Sequence, residues 1–183
     1  MKLVHSSLFF HFFAFLLYST VSLPTSAYSE NSESLAVSDV TFEYGEPWIR
    51  QQPSSSMRVA QLLFDHEDDS LTDIEMAVFL MGGGTRANLD RWIGQFNPAP
   101  ESQEETLTFG DRELVLFEAT GTYMESAGGP FSGNQTPREN YTMLAAIIPT
   151  SQGTVFLKLT GPNDSVAAMK EAFLEFAKSP FKE

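Results

Sequence analysis

An apolar run, Glu75 to Met81, ends in three consecutive glycines, Gly82, Gly83 and Gly84, and passes at once into Thr85 to Phe96. After its first residue the run carries no charge, which reads as a central strand covered on both faces. Leu89, Trp92, Ile93 and Phe96 then recur at i, i+3, i+4 and i+7, one face of a helix, with Arg86, Asp90 and Arg91 on the other. Thr85 stands where an N-cap belongs. Gly94 either permits a close approach to the sheet or marks the helix end, and Asn97-Pro98-Ala99-Pro100 stops the helix. This strand-turn-helix unit demands a sheet for the helix to lie on.

The rest of the chain supplies strands. Val40, Phe42 and Tyr44 alternate with polar residues, as in a half-buried strand. Gln51 to Ser56 reads as a polar loop. Met57 to Phe64 is a strand, joined to Glu75–Met81 through the acidic stretch Asp65–Ser70 as an antiparallel hairpin. Glu101 to Glu105 reads as an acidic linker. Thr106–Phe109 and Arg112–Tyr123 form a second hairpin about Gly110-Asp111, which suits a tight turn. Met124 to Asn140, rich in Gly, Pro and Ser, predicts the longest loop. Tyr141–Ile148 and Thr154–Thr160 form a third hairpin, with Val155, Leu157 and Leu159 on one face. A closing helix follows Gly161-Pro162, capped by Asn163 or Asp164, with Val166, Met169, Phe173 and Phe176 in its apolar stripe. Hairpin-linked strands with two amphipathic helices give an α+β class: a two-layer sandwich, a mostly antiparallel sheet with both helices packed on one face.

The N-terminus has another purpose. Lys2, the apolar run Leu8–Val21, and small residues at Thr25 and Ala27 after Pro24 have the layout of a secretory signal peptide, cleaved after Ala27. The run of about 14 residues is shorter than the roughly 20 that a membrane-spanning helix needs. Residues 28–39, Ser- and Glu-rich, read as a flexible leader, which leaves 40–180 as a single domain. The expected location is periplasmic or secreted, with no stable membrane insertion once the signal is removed.

Charge and missing residue types bound the chemistry. The 183-residue chain carries a formal charge of −13. Cleavage removes Lys2 and no acid, leaving 10 Lys and Arg against 24 Asp and Glu, a charge of −14. Such a surface disfavours nucleic acid, whose phosphates need a positive patch. There is no Cys, which removes disulfides, thiolate nucleophiles and Cys-ligated metals. Beyond residue 27 the only His is His66, so Ser-His-Asp triads and multi-His metal sites have no material to work with.

One candidate ligand site stands out. Backbone N–H groups of Gly82, Gly83 and Gly84 at a helix start, with Arg86 and Arg91 nearby, could hold an anion. The spacing matches neither the P-loop nor the dinucleotide fingerprint, and a tight strand-to-helix connection explains the glycines equally. Asp65, Glu67, Asp68, Asp69 and Asp73 lack the order and the glycine of a calcium loop and read as a solvated acidic turn. Glu118 has no partner carboxylate selected by spacing. Trp48, Tyr123, Phe131 and Tyr141 border loops and either pin them down or form an aromatic surface.

Met57-Arg58-Val59-Ala60-Gln61, the Arg91-Trp92-x-Gly94-Gln95-Phe96 motif and Lys158-Leu159-Thr160-Gly161-Pro162 resemble a family of exported bacterial proteins of planctomycete type. The resemblance spans roughly Trp48 to Phe176. That family has no assigned activity, so the resemblance implies export and carries no catalytic residue. The element order and the closing strand-Gly-Pro-helix arrangement also resemble the Mog1/PsbP-like fold. The expected function is a non-enzymatic, cofactor-free binding or structural module of the bacterial cell envelope, with an envelope protein as a candidate partner. The alternative is an anionic-ligand protein or enzyme built on the Gly82–Arg91 corner.

Overall fold

The structure is a computed structural model that describes residues 32–126 and 135–182; the signal-peptide reading at 1–27 falls outside them. Five strands precede the first helix: β1 (Glu33–Val37), β2 (Val40–Tyr44), β3 (Trp48–Gln51), β4 (Ala60–Phe64) and β5 (Ile74–Met81). Then come α1 (Thr85–Ile93), β6 (Glu101–Phe109), β7 (Arg112–Ser126), β8 (Gln135–Thr150), β9 (Gly153–Pro162) and α2 (Asn163–Lys178), with a closing 3-10 turn at Ser179–Phe181. β1 and β2 form a small hairpin sheet. The other seven strands form one sheet in the order β3-β4-β5-β9-β8-β7-β6, antiparallel at every pairing. The α+β class and the antiparallel sheet follow the pattern read from the sequence.

The layering corrects that reading. The helices lie on opposite faces of the sheet, not together on one. β8 shows why: Leu144, Ala146 and Ile148 belong to one buried cluster, Met143, Ala145 and Ile147 to the other. Successive strand residues point to opposite faces, so a strand apolar at every position needs cover on both. α2 supplies one cover through Val166, Met169, Phe173 and Phe176, joined there by Phe42, Tyr44, Trp48, Phe64 and Leu62. Phe176 is the hub, stacked on Phe42 at 4.9 Å and set against Trp48 at 5.8 Å. α1 covers the other face through Leu89 and Trp92, followed by Phe96, packed on Phe117, Met143, Ile147 and Phe156. The Trp92 ring meets Phe156 edge-on at 5.9 Å.

Boundaries shift for local reasons. The segment read as a flexible leader contains β1, whose Leu35 and Val37 are buried in the α2-side core, so folded structure is present ahead of Val40. β3 brings Trp48 into that core from a stretch read as pre-loop. The acidic 101–105 stretch is the first half of β6, exposed because β6 is the outer strand of the sheet. β7 and β8 extend through both flanks of the segment read as one long loop, of which 127–134 lie outside the described residues. Thr85 opens α1 without capping it: Gly84 holds the cap position, with no side-chain cap bond. Gly83 has φ 117°, which glycine adopts without strain. Gly94 ends α1, its N–H bonded to the Asp90 carbonyl. Pro162, not Asn163 or Asp164, takes the cap position of α2, and Asn163 instead accepts a hydrogen bond from Thr142 at 2.9 Å.

Candidate functional site

The three glycines and two arginines of the anion reading do not converge. Arg86 is exposed and turns to carboxylates, lying 2.9 Å from Asp90 one turn on and 3.3 Å from Glu104 on β6. Two acids neutralise it, so it brings no net attraction to an anion at Gly82–Gly84. Around Gly82 and Gly84 no side chain closes in. Arg91 points elsewhere: its Nη2 donates to the Asn88 Oδ1 at 2.6 Å, and its charge is felt by Lys158 on β9.

Lys158 lies on the α1 face of the sheet, where strand alternation puts it two residues from Phe156. Its cross-strand neighbours are Ala77 on β5 and Ala145 on β8. Two small side chains leave room for a long one. Its Nζ donates to Gln95 Oε1, just after α1, at 2.6 Å, and sits 5.6 Å from the centre of the Tyr123 ring. Burial lowers the lysine pKa to about 7, and the charges of Arg91 and then Arg58 push the same way. Burial also raises the Tyr123 hydroxyl, which therefore stays neutral.

Arg58 precedes β4 and is tied to Glu75 by an ion pair and to Gln61 Oε1 at 2.6 Å. Gln61, 3% exposed, also bonds Glu75, Gln51 and the Ser54 N–H. This polar network occupies the β3-β4-β5 half of the face, which α1 leaves uncovered. Ile49, Met57 and Val59 are exposed beside it.

The arrangement differs from the other cation contacts. Arg58, Arg86, Arg112, Arg138 and Lys170 all lie within 4.0 Å of a carboxylate. Arg91 and Lys158 bond to the neutral amides of Asn88 and Gln95 instead. The charges of Arg91 and of Arg58, which is bound to Glu75, act on Lys158 from α1 and from the chain before β4. Chemically, this can hold an oxyanion, or present a neutral amine.

The remaining candidates have structural uses. Glu118 accepts from Lys170 of α2 at 2.6 Å. Trp48 is core, and Tyr123 stacks on Tyr141 at 6.4 Å; Phe131 lies outside the described residues. Asp68 accepts from Ser70, closing the acidic turn on itself, and His66 packs edge-on against Phe64 at 4.9 Å. Among the described residues no three His, Asp or Glu side chains come together as metal ligands, and no helix is long and apolar enough to cross a membrane. Sequence reasoning missed Lys158 as a site residue. On its strand face Lys158 shares alternate positions with Thr154, Phe156 and Thr160, a mixed pattern that marks no inward lysine.

Comparison with known proteins places the fold alone. No family model matches the chain, and no curated protein matches it. The fold is similar to the solution structure of cyanobacterial PsbP (CyanoP) from Synechocystis sp. PCC 6803, with a TM-score of 0.50 and 11% identity over 88% of this chain and 98% of that one. The chain therefore has an α+β fold of PsbP type.

Proposed function

We propose that this chain is an exported, non-catalytic binding module of the bacterial cell envelope, and that it takes an anionic group of its ligand at Arg91, Lys158 and Arg58. Export rests on the Lys2, Leu8–Val21, Thr25 and Ala27 layout and on the resemblance to exported planctomycete-type proteins through the Arg91–Phe96 motif. PsbP-like architecture in a binding or structural role is in keeping with this reading.

One observation carries the ligand class. In a chain with 24 acids, Arg91 and Lys158 bond to amides, while Glu75 is committed to Arg58 and Gln61. A buried ammonium without a counter-charge is costly. Perturbed groups of this kind gather at functional sites. The Gly82–Arg86 corner offers less, because Asp90 and Glu104 already answer Arg86.

Sulfate titrated into the mature protein, followed by backbone and side-chain NMR shifts, tests the reading. Shifts should centre on Arg91, Gln95, Tyr123 and Lys158, and Arg91→Ala should weaken binding about tenfold. Shifts centred on Gly82–Gly84 would move the site to the helix corner. Substrate turnover abolished by Lys158→Met would make the protein an enzyme, because a neutral amine is also a nucleophile.

A further inference from the structure

We propose that the half of the α1 face left open over β3, β4 and β5 is a docking surface for a partner protein. It takes an amphipathic helix of that partner, whose apolar stripe lies on the sheet and whose flank carries Lys or Arg. This surface goes beyond the anion site proposed above and does not require it.

The large apolar side chains exposed among the described residues are Ile49, Met57 and Val59, at 46%, 58% and 44%. They gather in one region. Strand alternation sends Trp48 into the α2-side core and Ile49 to the opposite face, beside its half-buried register partner Leu63. The Val59 N–H bonds to the Val78 carbonyl of β5 at 2.9 Å. Arg58, between Met57 and Val59, reaches Gln61 and Glu75, whose neighbours along β4 and β5 face the α2 core, so that they face the other way. The chain leading into β4 therefore lies against the open half-face. Phe79 of β5, half-buried at the edge of the α1 cluster, carries the apolar surface out from under α1. A single exposed apolar residue is ordinary, but three together on a sheet covered over one half mark a contact surface.

The strands set the form of the occupant. The edge strand β3 has four residues and stands between Pro47 and Pro53, which leaves little edge for a partner strand to pair with. The occupant therefore lies on the face. Val59 to Leu63 spans about 13 Å of strand. An α-helix covers that distance in about nine residues, the length with which α1 covers the neighbouring half. The inward residues of α1 and its exit, Leu89, Trp92 and Phe96, show the spacing that such a cover uses.

Charge sets the composition of the occupant. The β4–β5 connection leaves the sheet at Phe64, one residue past Leu63, and returns at Ile74, one before Glu75. It carries Asp65, Glu67, Asp68, Asp69 and Asp73, all exposed, with no Lys or Arg among them. No ion pair among the described residues involves these five acids. Carboxylates at one end of an apolar strip attract a partner with a cationic flank and repel an acidic one. The same charges disfavour a second copy of this acidic chain.

The test is selection of a displayed random-peptide library on the mature protein. The counter-target is the Ile49→Ser, Val59→Ser double variant, which has the same charge. Enriched peptides should carry apolar residues at i, i+3 or i+4, and i+7, with Lys or Arg beside them. The best of them, synthesised, should shift the NMR signals of Ile49, Met57, Val59 and Leu63, and bind the double variant about tenfold more weakly. Glu67→Gln with Asp69→Asn should weaken it about threefold and reduce its salt dependence. Arg91→Ala should leave it unchanged, which separates this surface from the anion site. No enrichment over the double variant, enriched peptides without basic residues, or shifts confined to Asp65–Asp73 overturns the proposal. So does self-association in sedimentation velocity that the double variant abolishes, since the occupant is then a second copy. Both substituted residues are exposed, so the fold should survive; if it does not, the NMR map on the wild-type protein decides.

Discussion

The two faces of the central sheet are built to different standards. The α2 face is sealed by a 16-residue helix and by the β1-β2 hairpin, and its cluster runs from Leu35 to Ala177. The α1 face is covered by a helix of nine residues over β7, β8 and β9, with Phe79 and Met81 of β5 only partly buried at its edge. Where that cover stops, the face turns polar, with Gln51, Gln61, Glu75 and Lys158 in hydrogen-bonded contact with the helix end and with Arg58. A dry face is where burial does the most for stability. A face with a lysine held at a depressed pKa gives up stability, and that loss needs a use. The difference separates the face that holds the fold together from the face on which the proposed binding site lies.

The strongest way to break the comparison is to truncate one large residue on each face. Phe176→Ala removes the hub that Phe42, Tyr44 and Trp48 share, and should cost about 5 kcal/mol in urea unfolding. Trp92→Ala should cost about 3 kcal/mol, since one side of its cluster lies near the open half of the face. A larger loss at Trp92 than at Phe176 would reverse the ranking of the two faces.

Lys158→Met sharpens it. In the folded protein Lys158 titrates at about 7, against 10.5 for a free lysine. Between those values the unfolded chain binds the proton and the folded one does not, so wild-type stability rises with pH across that window. Below about pH 7 the folded state carries the whole penalty. Near pH 7 Lys158→Met should therefore be more stable by on the order of 2 kcal/mol, with half-burial reducing the full linkage value. The gain should shrink as pH rises toward 10. Thermal melts at several pH values read both signs.

The smallest effect belongs to the corner. Arg86→Ala should change stability by about 0.5 kcal/mol or less, because both its ion pairs are solvent-exposed. It should leave sulfate binding unchanged. A tenfold loss of sulfate affinity in Arg86→Ala would return the site to Gly82–Gly84.

What the sequence revealed follows the same division. The α2 face was largely legible: the stripe Val166, Met169, Phe173 and Phe176 and the alternation of Val155, Leu157 and Leu159 are strong periodic signals. So was the inward face of α1. The opposite placement of the helices was implied by two runs, Glu75–Met81 and Met143–Ile148, each apolar at nearly every position. A sheet buried on both sides needs a cover on each, and placing both helices on one face left that requirement unmet. β1 was hidden by its composition, since Leu35 and Val37 stand among Ser and Glu. β6 was hidden by its edge position, which lets a strand be acidic and exposed.

The site was legible by half. Arg91 was singled out as a neighbour of the three glycines, but the side of α1 it would serve depended on Asn88 and on tertiary contacts. Lys158 looked like the solvent-facing member of an alternating strand. Only α1, on the face of Phe156, turns that position inward.

The most direct measurement is the titration of the Lys158 side chain itself, followed by the NMR shifts of its ε-methylene in the wild-type protein without added anion. The account predicts a midpoint near 7, and a rise toward the ordinary lysine range when sulfate is added. A midpoint near 10.4 in the anion-free protein, unmoved by sulfate, would contradict it.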